Sequence, residues 1–377
     1  MLPYKLLDWI DINKLDWSWL SQQPYAVHFL EKNQSQSQSD DSALWTCKIN
    51  WLLFSLNLDA IHLLEKNQSQ SQSDDSALWT CKINWLLFSL NPDAMHLLEK
   101  NQSKIDWDRL SENPSAIYLL EKNLDKIDWY HLSMNPNAIH ILEKNLYQID
   151  WESLSCNPNA IDLLKAILEQ SRTDCIHLWP LKINWRYLSR NPKIIDILKL
   201  LDKHNIQHNI DWSQLSSNPN AIDLLTLNQK KIDWKRLSSN PNAIDLLTLN
   251  QKKIDWKRLS SNLNAIDLLT ANQSRIDWVY LSSNPNAIHL IEQNIEQSQN
   301  GLDECKIDWA ELSENPNAIH ILENNQDKIC WDSISLNPNI FVYDYEFIKN
   351  RINIFKEELL MVIFNPDNFF KFKDWGF

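Results

Sequence analysis

Apolar positions along this chain recur at a fixed interval. Residues 104–125 read KIDWDRLSENPSAIYLLEKNLD, and residues 126–147 read KIDWYHLSMNPNAIHILEKNLY. Each unit holds two short apolar groupings at helical spacing, separated by polar turns. In the first, Asp106 is a good N-cap before Trp107, and Ile105 and Leu110 stand at the spacing of a hydrophobic staple. A helix of about a turn and a half is expected there. In the second, Asn113 caps and Pro114 takes the first helical position, where its missing N–H costs nothing. The AIYLLEKN stretch then supports about two turns. Asn123 stands where a left-handed C-terminal residue belongs. On a wheel at ~100° per residue, Ala116, Ile117, Leu119 and Leu120 cover one face and Tyr118 points away. A unit with one apolar stripe per helix has nothing of its own to bury it against, so neighbouring units must stack.

The pattern extends over nearly the whole chain. An anchor tryptophan recurs at Trp17, Trp51, Trp85, Trp107, Trp129, Trp151, Trp185, Trp212, Trp234, Trp256, Trp278, Trp309 and Trp331. Seven of the twelve spacings are 22 residues, and the others are 34, 34, 34, 27 and 31, so 22 is the unit and the rest carry insertions. The expected fold is therefore all-α: a right- or left-handed α-solenoid of about thirteen two-helix repeats over residues 16–340. At ~8–10 Å per packed layer, it would form a rod or arc of roughly 100–130 Å, with each anchor tryptophan wedged between the helix layers. Residues 1–15 would cap one end. Residues 341–377, with an amphipathic helix from about 345 to 364, would close the other. The insertions, near 33–46, 67–80, 167–180, 201–207 and 294–303, all follow the second helix, so they should project from one edge. Residues 31–57 recur as 65–91 and residues 215–240 as 237–262, which weighs against a catalytic centre tailored within either stretch.

Composition sharpens the reading. With 19 tryptophans and 2 glycines, the turns should rely on asparagine. A net charge of −13 repels phosphate and gives no footprint for nucleic acid. No apolar run approaches the ~20 residues of a membrane helix, and the N-terminus carries no signal-peptide pattern. The six cysteines lack paired spacing and read as free thiols of a reducing compartment.

Catalytic motifs are missing from the sequence: there is no glycine-rich phosphate loop, HExxH, CxxC or GxSxG. His204 and His208 could share a helix face, but with no third ligand nearby they read as a solvated loop rather than a metal site. No catalytic residue, metal or cofactor is therefore assigned. Two surfaces remain. Positions after the anchor tryptophan vary most, which is how solenoid binders build extended faces. They give a candidate interaction face of Asp108, Arg109, Tyr130, His131, Glu152, Ser153, Arg186, Tyr187, Lys235, Arg236, Lys257 and Arg258. At Leu52, Leu53, Leu86 and Leu87 the same positions are apolar, fit for a partner or for packing under an insertion. The outward column of the second helix reads His28, His62, His96, Tyr118, His140, Asp162, Asp196, Asp223, Asp245, Asp267, His289 and His320. It is either a pH-sensitive partner stripe or a solvated face recording duplication.

The unit KIDWxxLSxNPNAIxLLExN, together with the ending NPNIFVYDYEFIKNRINIFKEEL and FNPDNFFKF, resembles the tandem 22-residue repeat proteins encoded in many copies by giant viruses of the Mimivirus type. The chain departs from that pattern in its QS-rich insertions and in lacking an acidic tail. In shape, the alternating short helices are more distantly similar to bacterial leucine-rich-variant repeats. The resemblance implies location in the host cytoplasm, with the virion as the other location. It transfers no site residue. The expected role is a non-enzymatic scaffold for a host or viral protein partner. The alternative is a structural component of the virion or viral factory that self-assembles.

Overall fold

A computed structural model describes residues 3–27, 29, 30, 55, 57, 84–170, 184–203, 209–302 and 304–363. The described residues form short helices in tandem, an all-α repeat solenoid. In the Trp107 unit the first helix spans Trp107–Glu112. Asp106 caps it by accepting the N–H of Arg109 at 3.0 Å, and Asp128 and Asp150 do the same at 2.8 Å. Ile105 and Leu110, the staple pair, are both buried.

The second helix starts later than the proline suggested. Asn113 Oδ1 accepts the N–H of Ser115 at 2.9 Å, and Ala116 N–H donates to Asn113 O at 3.1 Å, an i→i+3 bond that tightens residues 114–116 into a turn. The α-helix proper is Ile117–Glu121. A third element follows, the 3-10 turn Leu124–Lys126, which carries the chain to the next cap.

Asn123 does not adopt the expected left-handed backbone. Its φ is −133°, and it ends the helix with its side chain, Nδ2 donating to Leu119 O at 2.9 Å. Asn145, Asn228, Asn250, Asn272 and Asn325 repeat this bond. The amide satisfies a terminal carbonyl that the chain leaves open, so no positive φ is needed.

Nor does the anchor tryptophan wedge deep between layers. Leu110 is fully buried, but Trp107 is half-buried, and Lys126 of the next rung lies over its ring at 4.7 Å. The same cation-on-ring contact recurs for Lys231 on Trp212, Lys253 on Trp234, Arg275 on Trp256 and Lys328 on Trp309.

A buried polar ladder joins the rungs. Ser111 Oγ donates to Trp107 O at 2.7 Å and accepts the N–H of Asp128 in the next rung at 3.1 Å. Asn113 Nδ2 donates back to Ser89 O and Asn91 O of the preceding rung at 3.0 and 3.1 Å. Both side chains are buried and their bonds satisfied, so the constant LSxN of the unit serves the joint between rungs as well as the cap. The ladder passes through the Trp51 rung too, where Asn57 Nδ2 donates to Ser21 O at 3.1 Å and Ser55 Oγ accepts the N–H of Asn84 at 3.4 Å.

The last joint closes the chain on itself. Ser335 Oγ accepts the N–H of Asp16 at 2.9 Å, across 319 residues of sequence. Lys14 lies over Trp331 at 4.9 Å, as Lys104, Lys126, Lys231, Lys253, Arg275 and Lys328 lie over the tryptophan of the rung before them. Gln23, standing where other rungs carry the ladder asparagine, donates to Leu336 O. Beside this joint β1 (Tyr4–Leu6) pairs antiparallel with β2 (Phe341–Tyr343). Leu7 N–H donates to Ile340 O and Asp344 N–H to Pro3 O, both at 2.9 Å.

The described residues thus close the solenoid into a ring, not an open rod, with its first and last rungs joined. The terminal segments expected to cap separate ends form one seam. A helix does span Tyr345–Ile363, but it does not close the last rung: Ile354 and Met361 are 75% and 69% exposed.

Of the insertions, those near 33–46 and 67–80 lie outside the described residues, as do 171–180 of the third and 204–207 of the fourth. The described parts show how three insertions begin, by lengthening the second helix to Ile161–Gln170, Ile194–Lys203 and Ile288–Gln299. The last then turns at Gly301, whose φ of +68° is left-handed.

Candidate functional site on the inner wall

Curvature assigns the two faces. Over most of the described rungs, successive first helices pack directly on one another, whereas successive second helices stand further apart. In a closed ring the closer layer is the inner one. Thirteen sequence units at ~8–10 Å spacing would give a circle roughly 35–40 Å across its axes, and a hole of about 20–30 Å inside a helix radius of ~5–6 Å. The positions after each anchor tryptophan therefore belong to the wall of a hole, and the second-helix column to the rim.

Asp108, Tyr130, Glu152, Arg186, Tyr187, Lys235, Lys257 and Arg258 are exposed on this wall, and Arg109, His131 and Arg236 are half-buried. Ser153 leaves the candidate face, being 2% exposed. Leu86 continues the wall as an exposed apolar residue, while Leu52 and Leu53 lie outside the described residues. Sequence reading missed the contribution of Lys231, Lys253 and Arg275. The KIDW and RIDW starts of the units displayed these cations, but their fixed place made them look like frame.

On the rim, His96, Tyr118, Asp162, Asp196, Asp223, Asp245, Asp267, His289 and His320 are exposed and His140 is half-exposed. His28, His62, His204 and His208 lie outside the described residues. His140 Nε2 meets Glu121 Oε1, and His320 Nε2 meets Glu292 Oε1, each at 2.9 Å and each one rung back. Lys165 Nζ bridges Asp162 and Asp196 at 3.5 and 3.7 Å. The rim is laced by exposed ion pairs of small energetic weight. Among the described residues, no three His, Cys, Asp or Glu side chains gather closely enough to hold a metal.

Charge on the wall is sorted by sector. Lys235, Arg236, Lys257 and Arg258 make one stretch basic, whereas Glu311, Glu314 and Asp332 make another acidic. Burial works against ionisation of Asp233, but the hydroxyl of Ser213 at 2.7 Å, the N–H of Arg236 and its guanidinium hold the carboxyl below its usual range. In the acidic stretch, burial and then the neighbouring carboxylates of Glu314 and Asp308 push Glu311 up. Burial, followed by Glu152, raises the thiol of Cys156, which suppresses the nucleophilic thiolate.

Glu311 gives a pH-dependent prediction. A carboxyl that binds its proton more tightly in the folded state opposes folding once ionised. Glu311→Gln should therefore stabilise the protein slightly, with the gain absent below the unfolded-state pKa of ~4.3 and complete above the folded one. Thermal melts of both proteins at pH 4 and pH 7 check this, and a gain larger at pH 4 contradicts it.

Comparison with protein-family models, with curated proteins and with solved structures finds no match.

Proposed function

We propose that this ring is a non-enzymatic scaffold that holds a protein partner on its inner wall. One observation carries the reading: the buried LSxN ladder is repeated from rung to rung, while the first-helix pairs, each with at least one exposed member, change from Asp108 and Arg109 to Tyr130 and His131 to Lys257 and Arg258. A constant frame presenting a varied concave surface suits recognition of an extended partner surface. Burial, followed by Glu152, raises the Cys156 thiol and so disfavours a reactive thiolate there, and two glycines offer little for a glycine-rich phosphate loop.

The resemblance to giant-virus repeat proteins makes an infected host cell the place to look, with a host or viral protein as the partner. Tagged protein recovered from such cells should bring down a specific protein by mass spectrometry. Replacing Tyr130, Glu152, Tyr187, Lys235 and Lys257 with serine should release it. Recovery of the same proteins with both baits would defeat the reading.

Self-assembly into a virion or factory component is the second reading. The exposed Ile352, Ile354, Phe355 and Met361 along Tyr345–Ile363 favour it, since a helix with that much uncovered apolar surface tends to associate. Concentration-dependent assembly on a sizing column is its signature.

A further inference from the structure

We infer that the basic sector of the inner wall, over the rungs of Trp212, Trp234 and Trp256, is the docking site for an acidic polypeptide segment of the partner; this rests on the scaffold reading above. The sector is anomalous for a chain of net charge −13. Lys231, Lys235, Lys253, Lys257 and Arg258 are exposed and Arg236 is half-buried. Lys253 Nζ lies 4.4 Å from the Trp234 ring, so it sits beside the helix that begins Trp234–Lys235–Arg236. Lys231 over Trp212 at 4.6 Å repeats the arrangement one rung earlier.

The acids of the same rungs do not neutralise the strip. Asp233 and Asp255 are occupied as caps, accepting the N–H groups of Arg236 and Arg258 at 3.1 and 3.0 Å. Among the described residues, the one carboxylate paired with a side chain of the strip is Asp233, whose Oδ2 lies 3.7 Å from Arg236; Arg236 also donates to Gln214 Oε1 at 3.4 Å, and Lys257 lies over the Tyr280 ring at 4.8 Å. Asp223, Asp245 and Asp267 stand in the second-helix column, on the rim. The repeat thus separates charge radially, with cations toward the hole and carboxylates outward.

The rest of the wall selects the kind of anion. A nucleic acid carries charge at every residue and, following the wall, would meet Glu311, Glu314 and Asp332 in one direction and Glu152 in the other. A polypeptide can be acidic where the wall is basic and neutral or basic where it is acidic. Two rungs with the same Lys–Arg pair, about 8–10 Å apart, match acidic residues about three apart in an extended chain.

The test uses the full chain and a fluorescein-labelled decaglutamate peptide, followed by anisotropy at low salt. An oligothymidylate of equal charge runs in parallel. Wild type should bind the peptide, and added salt should weaken binding. Lys235→Glu/Lys257→Glu, which leaves the Arg236–Asp233 pair intact, should weaken it at least tenfold without moving the melting temperature. Asp245→Asn/Asp267→Asn on the rim should bind as wild type does. Absence of peptide binding by wild type overturns the inference, as does unchanged binding by the double glutamate variant. Tighter binding of the oligothymidylate overturns it in favour of nucleic acid. If cellular partners stay on the Lys235→Glu/Lys257→Glu bait but leave the five-serine bait, the scaffold reading stands and this docking site falls.

Discussion

Asn135→Ala is expected to cost the protein about 2–4 kcal/mol, far more than Asn137→Ala two residues away. Both asparagines donate a side-chain amide to the preceding rung, so the contrast rests on burial and on the number of bonds lost. Asn135 is fully buried; its Nδ2 serves Ser111 O and Asn113 O, each at 3.0 Å, and its Oδ1 accepts the N–H of Asn137 at 3.0 Å. Alanine removes all three bonds and leaves buried carbonyls that water cannot reach, at ~1–3 kcal/mol for each group left unpaired. Asn113 O keeps the N–H of Ala116, which holds the total near the lower half of the possible range. Asn137 Nδ2 reaches Pro114 O at 3.0 Å in an exposed position, where water replaces it, and its loss should stay within about 0.5 kcal/mol. Urea unfolding of the two variants beside wild type decides the matter. Equal losses would mean that the ladder is ornament and that apolar stacking alone joins the rungs.

That ladder also shows what the sequence could and could not reveal. The aspartate cap, the Ile105–Leu110 staple and the second-helix stripe are contacts within a few residues, and their spacing alone exposes them. Asn113 was legible as a cap because its Oδ1 bond is local. The two bonds of its Nδ2 reach residues 22 and 24 positions back, and a single unit gives no hint of them. Asn123 was misread for a related reason. A left-handed turn and a side-chain cap place the same residue type at a helix end, and only the observed φ of −133° separates them.

Ring closure was hidden more deeply. It depends on the small rotation from rung to rung, and 360° over thirteen rungs is only about 28° each. A few degrees more or less per step would give an open arc. Yet the two edges are visibly compatible. The first rung keeps the KLDW that needs a preceding serine, and the last keeps the Ser335 that needs a following aspartate. A solenoid with true caps has no use for either. On the wall, variation marked the candidate face, but repetition concealed the cations over the tryptophans, which are at once frame and surface.

A disulfide across the seam should form readily and raise stability by up to about 5 kcal/mol, because it constrains nearly the whole chain in the unfolded state. Tyr4 and Tyr343 are partners in the register of β1 and β2, and their rings stack at 4.7 Å. They stand at a non-hydrogen-bonded pair, next to the Pro3–Asp344 bond, so their Cα atoms should be ~4.5 Å apart with the side chains at their closest, within the range a disulfide spans. Tyr4→Cys/Tyr343→Cys, with the native cysteines changed to serine, should lose two thiols on mild oxidation and unfold at a higher temperature than its reduced form. An open arc would leave the thiols free or cross-link between molecules. The seam is also the joint where the ring would part most easily. Its strands have three residues each, and Gln23 replaces the ladder asparagine that elsewhere, as at Asn113 and Asn135, donates to two carbonyls. A partner that threads the hole from either side should bind the oxidised and reduced rings at the same rate. One that must be encircled should bind the oxidised ring slowly or not at all, so the same cross-link tells how the wall is reached.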